Sequence, residues 1–467
     1  MDPTESESGW PARTFQLRRR AGVVALDEQG IHHPRAPRSR SFTLTPYAEL
    51  LHVAASPRAI WLGARRSLYV LPRRLFVDEQ APDILLRCLL ARIEALPGGK
   101  EQIARMAALD AATRVEGPCR ATWGLTLACL AVFVLQLAVG ENIEDAGYFG
   151  VSLIRDGDWW RAVTTHFIHA LPGFPLHLIL NLLGLIAFGT LTERPLGTPA
   201  TLVVMGASAL GAVLGAYYAD YAHVVGVSGV VFGLVGAVTW LEVRRSDRLP
   251  AWWRVPRSAL FFMLGASVLL PFLLPFIAGA SHLGGFLGGA IVTALLSRDV
   301  PARPVRSPAW VRPAALGVVA GSALALIVGF VQLLDPDRYV AGRLEQLARL
   351  PDVEAMELNN RAWLVAVDPD STQAQLEAAL QLAERAVDES ERREPTILDT
   401  LAELQFLLGH EQEAVATIEE AIVQQPMESY YREQRRRFLG ERDREDRPPP
   451  PGQPLSPPLS EDPGVTV

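Results

Sequence analysis

The sequence predicts an all-α polytopic membrane protein. Six core helices and a seventh, C-terminal transmembrane helix are flanked by a small α+β N-terminal domain and an α-helical repeat domain at the C-terminus. Three observations predict this. Of the 467 residues, 49% are hydrophobic and only 20% charged, with a mean hydropathy of +0.17. The charges gather at the two ends, while apolar stretches of bilayer-spanning length fill the middle. The ends themselves carry the periodicities of water-soluble domains. The resulting divisions are 1–115 (cytosolic α+β), 116–300 (six-helix core), 301–335 (linker and seventh helix), 336–442 (helical repeats) and 443–467 (disordered, proline-rich).

The net charge of −7 gives no footing for a nucleic-acid binder. Cys88, Cys119 and Cys129 have neither paired nor metal-site spacing, so no disulfide framework is expected. Arg13 and Arg18–Arg20 are not followed by an apolar run, so no cleavable signal peptide is expected.

In the N-terminal region, "SFTLTPYAELLHVAAS" and "AIWLGARRSLYVLPRRLF" alternate like strands. "APDILLRCLLARIEALPGG" then has apolar positions at helical spacing and a Pro-Gly-Gly stop. Short strands ending in one helix resemble a bacterial pleckstrin-homology-like domain.

The apolar stretches are Thr122–Val139, Leu176–Leu191, Ala200–Ala222, Val227–Val243, Ser258–Ile277, His282–Leu296 and Pro313–Leu334. Arginines precede the first (Arg114, Arg120), join the fourth to the fifth (Arg244, Arg245, Arg248, Arg254, Arg257) and join the sixth to the seventh (Arg298, Arg303, Arg306, Arg312). Positive loops face the cytoplasm, so the N-terminus is expected inside and everything after Leu334 outside. The first connection, about 140–175, is then outside and too aromatic for a bare linker. Pro271 and Pro275 are expected to bend the outer half of the fifth helix, where that half would move to admit a substrate laterally.

The tail aligns with itself at a shift of thirty-five, matching Ala379 to Ala414 and Ala386 to Ala421. Leu408-Gly409, Ala414, Ala421 and Pro426 sit where a tetratricopeptide repeat places its turn glycine, small packing residues and terminal proline. Two repeats and a final helix near Ser429–Leu439 are expected, with a concave face for a protein partner or substrate.

Ser228 and Thr239 are the two hydroxyl residues in "VVGVSGVVFGLVGAVTWL", and Ser228 is the one set among glycines. A serine between glycines in an apolar helix is most simply a packing residue. His282 opens the sixth helix at the same outer depth, and an ionisable group in a membrane helix suggests function. Gly226, Gly229, Gly233 and Gly236 form one expected stripe on the fourth helix; Gly285 and Gly289, with Gly284 and Gly288 beside them, form another on the sixth. Small residues let backbones approach closely, so joining these stripes would bring Ser228 within reach of His282. The imidazole could then take the hydroxyl proton during attack on a carbonyl. His177 and Asn181 stand four apart on one face of the second helix. They could aim donors at a developing oxyanion, or merely bond a neighbouring helix. His166, His169 and His177 come with no carboxylate-bearing metal motif.

"WWRAVTTHFIH", "HLILNLLGLIAFGTLTE", "GVSGVVFG" and "SHLGGFLGG", in this order and spacing, resemble the rhomboid intramembrane serine proteases across about 120–300. The resemblance implies that Ser228 is the nucleophile and His282 its base, in a dyad without aspartate. It implies that His177, Asn181 and the Ser228 amide hold the oxyanion, that Trp160 and Arg161 stabilise the first loop, and that Glu193 packs after the second helix. It also implies a multi-pass bacterial plasma-membrane enzyme that needs no cofactor and cuts transmembrane or membrane-proximal segments of other membrane proteins. Family members often carry tyrosine four residues after the serine; here Phe232 keeps the stacking surface and lacks the hydroxyl. The rival expectation is a pseudoprotease that binds membrane clients without cutting them, although such relatives lose the serine or the histidine.

Overall fold

The computed structural model describes residues 12–18, 22–34, 42–113, 117–139, 142–155, 157–170, 176–273, 277–298, 307–334, 336–348 and 353–449. Arg19, Arg20, Arg114, Pro275, Arg303, Arg306 and the tail from residue 450 lie outside the described residues. The chain divides into two compact units, Met1–Phe330 and Val331–Val467.

Among the described residues, the first unit opens with seven short strands. β1 (Arg13–Gln16), β2 (Val23–Leu26), β3 (Gly30–Pro34) and β4 (Phe42–Pro46) form one antiparallel sheet in that order. β5 (Leu50–Ala55), β6 (Ala59–Ala64) and β7 (Leu68–Pro72) form a second. α1 (Ala81–Glu94) places Leu85, Leu89 and Ile93, one helical face, on Val24, Leu26, Ile31, Ile60 and Leu62. The Pro-Gly-Gly stop ends α1, and α2 (Gly99–Thr113) starts directly after it. The sheet domain docks on the connection before the fifth long helix. Ala251 N–H donates to the buried His52 Nδ1 at 3.0 Å, and Ser246 and Arg257 side chains donate to the Arg65 carbonyl. Arg254 of that same connection is buried in a two-pronged pair with Glu242, at 2.9 and 2.7 Å, so it is not a loop charge in water.

The membrane-type helices follow: α3 (Arg120–Val139), the short α4 (Asn142–Gly147), α5 (Val151–Arg155) and α6 (Arg161–Thr164), then α7 (Leu176–Leu196), α8 (Thr198–Tyr218), α9 (Ser228–Arg244), α10 (Arg257–Leu269), α11 (Gly279–Leu296) and α12 (Val311–Leu334). Among the described residues, six helical segments are long and apolar enough to cross a membrane. They lie in α3, α7, α8, α11, α12 and Ala251–Phe272 around α10. α9 has 17 residues and most of them are buried, as befits a helix enclosed by others.

Two boundaries differ from expectation for physical reasons. α7 continues to Leu196 because Glu193 turns inward. Its carboxylate accepts from Ala121 N–H, Thr122 N–H, the Thr122 hydroxyl and the Thr198 hydroxyl at 2.6–3.0 Å, capping the start of α3. The fifth helix is shorter than its apolar run: α10 stops at Leu269 and a 3₁₀ turn, Leu270–Phe272, carries Pro271. Proline cannot supply the next helical N–H, so it ends this helix instead of bending it.

The second unit is a set of paired helices: α13 (Pro336–Leu347), α14 (Ala355–Val367), α15 (Gln373–Glu389), α16 (Pro395–Leu407), α17 (Glu411–Gln424) and α18 (Ser429–Phe438). The shift of thirty-five relates α15 to α17 alone, through the fully buried Ala379/Ala414 and Ala386/Ala421. The first helices of the pairs match at forty, with buried Leu358, Ala362 and Ala366 answering Leu398, Ala402 and Phe406. Gly409, at φ +85°, makes the left-handed exit from α16 that other residues rarely adopt. Beyond Asp443 the chain stays bound to its unit as far as Arg447, which donates to Glu403 and to the Ala366 carbonyl.

Candidate active site

α9 and α11 touch backbone to backbone. A Cβ on Gly285 would lie 2.0 Å from the Gly229 carbonyl oxygen, and one on Gly289 would lie 2.0 Å from that of Gly233. Gly236 is equally close to Phe286, while Gly284 and Gly288 meet Gly211 and Ala207 of α8. α11 therefore carries two glycine faces, one for each neighbour. The first face is legible in the glycine spacing of α9 and α11; the second is met by Ala207, Gly211 and Gly215 of α8.

Gly226 is not part of the helical stripe. It precedes α9 with φ +111°, and a Cβ there would lie 2.7 Å from His177 Cε1 and 3.0 Å from its Nε2. The sharp turn at Gly226 is what ends the preceding extended segment and starts α9 at Ser228. That segment is pinned to the first loop: Gly226 N–H donates to the Thr165 carbonyl, and the Thr165 hydroxyl donates to the Val224 carbonyl at 2.6 Å. Thr165 had no sequence signal beyond lying in an aromatic loop.

Ser228 is thus the first residue of α9, where the amide N–H groups have no intrahelical acceptor and carry the positive end of the helix dipole. Its Oγ lies 2.9 Å from Nε2 of His282 in the first turn of α11. The imidazole is buried, its face is stacked on Phe232 and its Nδ1 has no hydrogen-bond partner among the described residues. Asn181 Nδ2 donates to the His177 carbonyl at 2.9 Å and sits, with the His177 ring, on the other side of Gly226. The structure therefore brings Ser228, His282, Phe232, His177 and Asn181 to the start of one helix.

Trp160 and Arg161 lie away from these groups and hold the first loop together. Trp160 Nε1 donates to the Ala146 carbonyl; Arg161 pairs with Asp158 at 2.8 Å and donates to the Tyr148 carbonyl. The backbone of His169 is tied in both directions to the Gln136 side chain, and its ring is 5.4 Å from that of His177.

A Rhomboid domain model matches residues 156–299, the span from the first loop to the end of α11. YdcA of Bacillus subtilis, named for the rhomboid proteases, is 31% identical over 145 residues, covering 30% of this chain and 69% of its own length. The rhomboid protease GluP of the same organism is 28% identical over 287 residues, 56% of this chain and 53% of GluP. The rhomboid protease GlpG of Klebsiella pneumoniae is 32% identical over 148 residues, 31% of this chain and 48% of GlpG. The chain thus spans about half the length of the latter two. Helices joined through glycine, with a serine and a histidine at their N-terminal ends, lie within the matched span, and the chain belongs to the rhomboid family.

Proposed function

We propose that the protein is an intramembrane serine endopeptidase that cuts transmembrane or membrane-proximal segments of other membrane proteins. The observation that carries this reading is the 2.9 Å approach of Ser228 Oγ to His282 Nε2 at the N-terminus of α9. With the imidazole proton on Nδ1, the hydroxyl donates to Nε2. Oγ attacks the scissile carbonyl as its proton passes to His282. The oxyanion is met by the Ser228 amide, aided by the helix dipole, and by His177 and Asn181. Collapse of the intermediate expels the amine with the proton from His282. Water, deprotonated by the same nitrogen, then frees the acyl-enzyme. Phe232 fixes the ring plane, which is the orienting part of what an aspartate does in a triad, and offers no acceptor to Nδ1. No step needs a cofactor. A substrate helix must unwind at the cut, because a hydrogen-bonded helix hides its carbonyls, so helix-breaking and small residues are favoured there.

Counting α9 as a crossing gives seven spans, with the arginine-rich connections and the sheet domain in the cytoplasm of a bacterial cell and the second unit outside. The two small antiparallel sheets followed by α1 support the pleckstrin-homology-like reading of the N-terminal domain. The buried alanines that pair α15 with α17 support the tetratricopeptide-like reading of the second unit, which would bind clients or a partner protein. Cysteine labelling at exposed Met427 from outside intact cells tests the topology; access only after lysis contradicts it. Purified full-length protein should cleave a reporter transmembrane segment and Ser228→Ala should not. Equal cleavage by both contradicts the enzymatic reading.

A further inference from the structure

The second unit holds a stretch of its own chain in the manner of a bound peptide. After α18 the chain turns at Gly440 (φ +72°) and passes over the C-terminal ends of α16 and α14. Among the described residues the apolar core of the unit ends at Phe438, so the arginines that follow dock onto a finished surface.

Two of these arginines, three positions apart, dock at equivalent places. Arg447 donates to the carbonyl of Ala366 at 2.8 Å, and Arg444 to that of Phe406 at 3.1 Å. Ala366 and Phe406 are matched at the spacing of forty, and each is the penultimate residue of its helix. Carbonyls there lack partners within the helix and carry the negative end of its dipole. Each guanidinium also meets an aromatic ring and a carboxylate. Arg447 lies 5.5 Å from the centre of the Trp363 ring and reaches Glu403 at 2.7 Å. Arg444 lies 4.4 Å from the centre of the Phe406 ring and reaches Glu411 at 3.2 Å. A helix end, a ring and a carboxylate together select a guanidinium.

The pocket of Arg447 does not depend on its occupant. The Glu403 side chain is fully buried, whereas that of Arg447 is 26% exposed. Glu403 Oε2 is held by Arg437 and Gln434 of α18, which leaves Oε1 to Arg447. The carboxylate therefore stays paired when Arg447 withdraws, and no buried charge is orphaned. Pro448, buried, completes the seated sequence "REDRP". We propose that this face of the second unit binds a basic segment of a partner protein, with two arginines three positions apart and proline after the second, and that residues 444–448 occupy the site in its absence. The proposal rests on the partner-binding reading of this unit given above. An internal ligand of this kind sets a threshold, since a site open a tenth of the time binds its rival about tenfold more weakly.

The test is binding of a fluorescent peptide, residues 443–450 of this chain, to full-length protein in detergent, read by anisotropy. The double variant Arg444→Gln with Arg447→Gln, its own tail unseated, should bind the peptide about tenfold more tightly than wild type, or better. The peptide with glutamine for both arginines should not bind. With lysine for both it should bind about fivefold more weakly, because an ammonium cannot fork onto a carboxylate while lying flat on a ring. Equal affinity of wild type and the folded double variant overturns the proposal, since the tail is then no competitor. Equal binding of the arginine and glutamine peptides overturns it too, while leaving the unit a binder of segments of another kind. Equal binding of the lysine peptide reduces recognition to charge attraction and counts against it. If the double variant does not fold, wild type decides at roughly millimolar peptide, the effective concentration of a tethered tail. It should then bind the arginine peptide alone, and binding of both peptides or of neither contradicts the proposal. Cleavage enters none of these readouts, so an inactive protein that binds the peptide loses only the enzymatic reading.

Discussion

The ring of Phe232 lies stacked on the imidazole of His282, with centroids 4.4 Å apart and planes 23° from parallel. Phe232 stands one helical turn beyond Ser228, so α9 supplies both the hydroxyl at Nε2 and the surface that fixes the ring. An aromatic contact of this kind contributes about 0.5–1.5 kcal/mol. Phe232→Ala is therefore predicted to lower kcat about two- to tenfold with little change in KM, and Phe232→Tyr to stay close to wild type. Steady-state cleavage of a reporter segment measures both.

Asn181 is predicted to act on the transition state more than on substrate binding. Asn181→Ala should reduce kcat on the order of tenfold to a thousandfold, because one of several oxyanion donors is lost. A rise in KM with kcat unchanged would make Asn181 a binding residue instead.

The close approach of α9 and α11 is predicted to be intolerant of a single methyl group. Gly289→Ala puts Cβ 2.0 Å from the Gly233 carbonyl oxygen, a backbone atom that cannot swing aside. Forcing the helices apart should cost about 1–3 kcal/mol and lower the thermal midpoint in detergent. Gly342→Ala, in open space at the surface of α13, is the control and should not lower the midpoint, since alanine favours the helix.

The second unit carries its own pH dependence. Burial pushes the Asp399 carboxyl up to about 7, against the hydrogen bonds from Tyr430 and Gln434. A carboxyl raised on folding binds its proton more tightly in the native state. Its contribution to stability is full below about pH 4 and is lost as pH rises through about 7. Hydrogen exchange in α16 and α18, corrected for intrinsic rates, should accelerate from pH 5 to pH 8 in wild type and stay flatter in Asp399→Asn. Identical profiles for the two proteins would contradict this.

Helix positions in the middle of the chain were legible because transmembrane segments announce themselves through length and apolarity. The candidate site was legible because Ser228, His282, His177 and Asn181 come with glycines at helical spacing. The role of Gly226 was misread: spacing alone cannot tell a glycine in a helix from one at φ +111° just before it. Pro271 was read as a bend because hydropathy runs past it, although it ends α10. β1 to β3 went unread because strands of four or five residues interrupted by Arg18–Arg20 and Asp27-Glu28 show too little alternation. His52 and Glu193 make their contacts across 199 and about 72 positions of sequence, beyond the reach of local pattern.

The most direct measurement is covalent labelling of the purified full-length protein with a fluorophosphonate, mapped by peptide mass spectrometry. A serine activated by its histidine attacks phosphorus and expels fluoride, so the adduct reports the nucleophile without any assumption about substrate. An adduct on Ser228 is expected in wild type and is expected to be lost in folded His282→Ala. Absence of label on Ser228, or label that persists undiminished in His282→Ala, would contradict it.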